Sequence, residues 1–69
     1  MKYIPGDKFV NYTTQHTKLF KRNTLYVLHN VEMEDNGIKY TFKVNNELKE
    51  VTFANFEEAD IWLEQIVYN

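Results

Sequence analysis

Asn36-Gly37 stands between two runs of alternating apolar and polar residues, and this arrangement constrains the fold more tightly than any other feature. A two-residue hairpin turn needs positive φ at its centre, which Asn and Gly adopt at little steric cost. Before the turn, Leu25, Val27, Val31 and Met33 alternate with Tyr26, Leu28, Asn30, Glu32 and Glu34. After it, Ile38, Tyr40, Phe42 and Val44 alternate with Lys39, Thr41 and Lys43. Period two marks half-buried strands. An Asn36-Gly37 turn would pair Met33 with Tyr40 and Val31 with Phe42 on the apolar face, and Glu34 with Lys39 and Glu32 with Thr41 on the other.

The next connection can be tested in the same way. A loop centred on Asn46-Glu47 sets Phe42 opposite Val51, Tyr40 opposite Phe53 and Lys43 opposite Glu50. Sliding by one residue sets Phe42 against Glu50 or Thr52 and turns the apolar set to the wrong face. Residues 25–53 are therefore expected to form a three-stranded meander with one apolar face. Pro5-Gly6-Asp7 is a turn signal, and Lys8–Tyr12 after it reads as a short fourth strand. Thr13–Asn23 has no period and reads as a loop anchored by Leu19-Phe20.

Asn55 is a good N-cap, with Glu58 three residues on in capping-box position. A helix over 55–67 would place Phe56, Ala59, Leu63, Ile66 and Val67 on one face with Trp62 at its edge. The fold class is thus α+β: a three- to four-stranded antiparallel meander with one C-terminal helix packed on one face. A small SH3-like barrel ending in a helix is the alternative, because the short strand after Pro5-Gly6-Asp7 could close over the meander.

Residues 1–69 make a single small domain, and a core of this size supplies only about 3–5 kcal/mol. Stability must come from the dense aromatics (five Phe, five Tyr, one Trp) or from a second subunit, which makes a homodimer the other route. With no Cys, and with His16 and His29 lacking the paired spacing of a zinc site, neither metal nor cofactor is expected. There is no apolar leader and no apolar run long enough to span a bilayer, so the expected location is the cytoplasm. Phe, Tyr, Ile, Asn and Lys account for 29 residues, and Gly, Ala, Arg and Pro for six. That bias towards AT-rich codons suggests a low-GC bacterium, a phage or another mobile element.

The charges are lopsided. Residues 1–30 carry five cations against Asp7, a formal +4, and residues 31–69 carry nine carboxylates against Lys39, Lys43 and Lys49, a formal −6. Two segments with opposite preferences for partners follow. The basic one holds His16, Lys18, Lys21 and Arg22 around Leu19-Phe20, a pattern that suits nucleic acid or an acidic protein: cations neutralise phosphates and rings stack on bases. The acidic one comprises Glu32, Glu34 and Asp35 beside the hairpin turn and Glu57, Glu58 and Glu64 on the helix.

Ile61 and Tyr68, seven residues apart, stack on the helix face away from the core, with Trp62 at the edge. Apolar anchors in an acidic rim suit a protein interface. Neither a nucleophile motif nor a Gly-rich phosphate cradle is present, and the carboxylates fall on solvent faces where they titrate normally. His29 falls on the apolar parity of its strand with no catalytic partner in view. The expectation is a non-enzymatic protein-binding module. Its partner would be a host nucleic-acid-handling protein, inhibited or modulated through the acidic helix face. A small nucleic-acid-binding protein using the 16–22 loop and a self-associating accessory protein are the rival readings.

Overall fold

The computed structural model describes residues 1–68. In chain order it contains β1 (Lys8–Val10), β2 (Leu25–Glu34), β3 (Gly37–Val44), β4 (Glu47–Phe53) and α1 (Phe56–Glu64). The four strands form one antiparallel sheet in the order β1-β2-β3-β4, with α1 on one face. The sheet stays open, so the barrel alternative is not realised. No helix of the described residues is long and apolar enough to cross a membrane.

Each hairpin loop sits one residue earlier than the sequence reading places it, which slides the pairing by two. Val31 faces Tyr40, Met33 faces Ile38 and Glu32 faces Lys39. On the other side, Tyr40 faces Val51 and Ile38 faces Phe53. A slip of two keeps every side chain on its face, so alternation cannot detect it. Turn geometry decides instead. The second loop is Asn45-Asn46, whose φ values of 49° and 65° are left-handed torsions that Asn tolerates better than most residues. The first loop is Asp35-Asn36, and the left-handed torsion falls on Gly37, at φ 148°. A Cβ on Gly37 would strike the Phe53 carbonyl oxygen, so close approach as well as torsion demands glycine here.

Within β2 the face itself changes. Leu28 pairs with Phe42 and Asn30 with Thr41, leaving His29 as the extra residue of a β-bulge. Upstream of the bulge the parity inverts: Tyr26 and Leu28 are buried, whereas Leu25 is left exposed. His29, expected on the apolar parity, is exposed as well. Leu25-Tyr26-Val27-Leu28 is apolar in both phases, so alternation alone could not choose between them.

The Pro5-Gly6 turn forms as expected, with Asp7 N–H donating to Ile4 O at 3.1 Å and Gly6 at φ 101°. The first strand stops at Val10 rather than Tyr12, and Asn11 continues only as a parallel bridge to Arg22. The helix begins at its expected cap: Glu58 N–H donates to Asn55 Oδ1 at 2.8 Å, and Ala54 N–H donates to Glu58 Oε2 at 3.1 Å. It ends three residues short of the expected Val67. Ile66 N–H bonds back to Leu63 O, tightening the last turn, and the chain then lies along β1. Val10 N–H donates to Ile66 O at 2.8 Å and Tyr68 N–H to Lys8 O at 2.9 Å, so residues 66–68 cover the free edge of β1.

Aromatics fill the space between sheet and helix. Phe42 is fully buried and meets Phe9, Phe20 and Tyr26 edge-on at centroid distances of 5.8, 5.2 and 6.4 Å. Such pairs add about 0.5–1.5 kcal/mol each beyond area burial. Ala59, Leu63 and Ile66 close the core from the helix side. Tyr3, Phe9 and Phe20 come from the part of the chain with the weakest periodicity.

Candidate functional site

The loop between β1 and β2 is held by one buried polar side chain. Asn11 is fully buried, and its Nδ2 donates to Gln15 O at 2.7 Å and Phe20 O at 3.0 Å. Its Oδ1 accepts from Thr13 N at 3.0 Å and Thr13 Oγ1 at 2.6 Å. Phe20 then plugs the core edge-on to Tyr26, and Lys21 N–H donates to the Tyr26 hydroxyl at 2.8 Å. Left-handed torsions at His16 (φ 63°) and Asn23 (φ 61°) turn the chain at either end of this plug.

These constraints aim His16 at the helix. Its ring lies 4.0 Å from that of Trp62, centroid to centroid, and its Nε2 is 2.9 Å from Gln65 Oε1. The Gln65 amide nitrogen donates to Ile61 O, which leaves Oε1 as the acceptor and requires the Nε2–H form of the imidazole. The basic loop and the acidic helix, expected as two separate surfaces, therefore meet. Between them is an open cleft of about 430 Å³ lined by His16, Thr17, Lys18, Leu19 and Trp62. Ile61 is exposed on α1, but Tyr68, expected to stack with it on the same helix face, lies past the helix end at Glu64, where its N–H donates to Lys8 O at the edge of β1.

Most helix carboxylates are engaged. Glu58 closes the cap, and Asp60 accepts from Lys2 N–H at 3.0 Å and lies 3.9 Å from the N-terminal ammonium. Glu64 lies 3.8 Å from Lys2 Nζ in an exposed pair, which is worth little. Glu57 is exposed and makes no ion pair or side-chain hydrogen bond with the described residues. The acidic turn is also drawn together: Lys39 Nζ lies 3.1, 3.7 and 3.3 Å from Glu32, Glu34 and Glu50. Hydrogen bonds to Glu32 and then to Glu50 hold the Lys39 ammonium above its ordinary range. Asp35, in the loop itself, remains exposed.

No protein-family model matches the chain, and no curated protein and no solved structure matches it.

Phe20, grouped with the basic loop as a contact residue, is 0 % exposed and positions the loop instead of touching a partner. Lys18, Lys21 and Arg22 are exposed. Topology adds three cations that their sequence positions did not suggest. Lys8 faces Val27, Val27 faces Lys43 and Phe42 faces Lys49, all near the end of the sheet where β2 begins and β3 turns into β4. Lys21 and Arg22 lead into that same end, whereas Glu32, Glu34 and Asp35 lie at the other, close to the start of the helix. The lopsidedness along the chain becomes a charge separation along the strands.

Two further polar features lay outside the sequence reading. One is the Asn11 knot, for which Asn11 itself was the only signal. The other is Tyr40, whose hydroxyl is buried with no hydrogen-bond partner among the described residues. Burial, and then the nearby Asp60 charge, push this phenol above its ordinary value. Among the described residues no three His, Asp or Glu side chains converge as metal ligands. Neither histidine is hydrogen-bonded to a carboxylate or hydroxyl of those residues.

Proposed function

We propose that this protein is a non-enzymatic protein-binding module whose contact surface is the outward side of α1 together with the His16–Leu19 loop. The observation that carries this reading is the cleft in which Leu19 and the Trp62 ring stand beside exposed Ile61. Glu57 and Glu64 share the helix face of Ile61, at spacings of four and three residues. Apolar anchors inside such a rim resemble the centre of a protein interface.

The rim carboxylates fit a basic partner, such as the phosphate-binding surface of a nucleic-acid-handling protein. The codon bias favours a phage or mobile-element origin, in which case the partner is a cytoplasmic host factor and the module its inhibitor or modulator. A homodimer through this face would bring Glu57 and Glu64 of both copies into one interface, and that excess of like charge disfavours it.

Affinity capture from a low-GC bacterial lysate, followed by calorimetry with the purified captured protein, tests the reading. Ile61→Asp and Trp62→Ala should each weaken binding at least about tenfold, as hot-spot truncations do. Ile61→Asp should leave the melting temperature unchanged, because the side chain is exposed. Wild-type affinity in both variants would remove this surface from consideration.

A further inference from the structure

We propose that the opposite, basic end of the sheet binds the backbone of single-stranded nucleic acid. The proposal rests on placement. Lys21 and Arg22 come from the first half of the chain, and Lys43 and Lys49 from the second, which is acidic overall. The β3–β4 register brings the latter two beside the Asn45-Asn46 turn, at the sheet end that Lys21 and Arg22 enter. Lys8 joins from β1 through its pairing with Val27. Lys21, Arg22 and Lys49 gather there, with Lys8 and Lys43 on the other face of the same sheet end, against two carboxylates, Asp7 and Glu47, although the whole chain is formally −2.

The end is also shaped. A cleft of about 290 Å³ is lined in part by Lys21, Thr24, Tyr26, Asn45, Glu47 and Lys49. Lysine ammonium groups on its lining are point charges of the kind that bind phosphate oxygens. The Thr24 hydroxyl and the Asn45 amide add hydrogen-bonding groups to the same lining. Arg22, next to Lys21 in the chain, donates through Nε to the Tyr12 carbonyl at 3.3 Å, and the Tyr12 side chain is 60 % exposed. An exposed ring tied through its backbone to this basic segment offers a stacking surface for an unpaired base, which a lipid headgroup or a polysulfate would not use. This surface is separate from the Ile61–Trp62 face, so the two proposals fail independently.

Fluorescence anisotropy with a labelled oligo(dT) of about twelve nucleotides tests the proposal, since site sizes of roughly 4–16 nucleotides are usual for small modules. Binding should appear at low salt and weaken as salt rises. The double variant Lys21→Gln/Lys49→Gln should lower the magnitude of the log–log salt slope by about 1.4, at about 0.7 per phosphate contact. Tyr12→Ala should weaken binding about fivefold or more with the slope unchanged. Glu47→Gln should tighten binding roughly twofold to fivefold, because it removes a carboxylate from the cleft lining. No binding at low salt would overturn the proposal. So would dextran sulfate or anionic vesicles binding as tightly as the oligonucleotide, with no effect of Tyr12→Ala.

Discussion

Replacing Asn11 with Asp changes one buried atom and removes the loop's main restraint. The Oδ1 that accepts from Thr13 is retained, but the Nδ2 that donates to Gln15 O and Phe20 O becomes an oxygen. Each lost hydrogen bond is worth about 0.5–1.5 kcal/mol net, and leaving both carbonyls facing an acceptor adds a desolvation penalty, so the total is about 3–5 kcal/mol. A domain of this length has only about 3–10 kcal/mol of stability. The variant should therefore lose about a third or more of its stability in water. Trp62 is the only tryptophan and touches both His16 and Phe20, so its fluorescence reports the loop directly during urea unfolding.

The deficit should depend on pH. A carboxyl held between two carbonyl oxygens has a folded pKa above its unfolded value of about 3.9, because only its protonated form can donate. The folded state then binds the extra proton, so the variant's stability falls as pH rises from about 4 through the folded value. Relative to wild type, the variant should recover at low pH. A cost below about 1 kcal/mol, or a deficit that ignores pH, would refute the role assigned to Asn11.

Other outcomes follow from single contacts. Tyr40→Phe removes a buried hydroxyl without a partner and should raise stability by about 1 kcal/mol in urea unfolding. The raised Tyr40 phenol and Lys39 ammonium both act at the alkaline end. The Tyr40 proton is kept in the folded state but lost from the unfolded chain above pH about 10, and the Lys39 contribution, complete below pH about 10.5, is lost as pH rises through its folded value. Melting temperature should thus hold to about pH 9 and then decline, and the decline should be shallower in Tyr40→Phe and in Lys39→Met. Gly37→Ala meets the Phe53 carbonyl at a left-handed torsion and should cost about 1–3 kcal/mol, measured by the urea midpoint.

How much of this could be read from the chain depended on how local each signal was. The Asn55 cap and the apolar parity of Ile38, Tyr40 and Phe42 are set within a few residues, and they are found where the pattern puts them. The hairpin register was not legible because a slip of two preserves parity, and only the backbone torsions of Gly37, Asn45 and Asn46 distinguish the options. The His29 bulge was hidden by a stretch that is apolar in both phases. The loop was least legible of all. Phe20 enters the core and His16 reaches Trp62 through bonds converging on Asn11, and no periodicity records such contacts. Likewise, Lys43 and Lys49 join Lys21 only through strand pairing, so the basic end had no sequence signature.

The meeting of loop and helix is the feature on which the proposed interface stands, and the tilted His16–Trp62 ring contact tests it most directly. At a centroid separation of 4.0 Å, proton NMR should show cross-relaxation between the His16 ring protons and the indole. The His16 protons should also shift upfield through the indole ring current, and Trp62→Ala should abolish that shift. His16 ring protons at random-coil positions, with no cross-peak to Trp62 in the folded wild type, would contradict a surface built jointly from loop and helix.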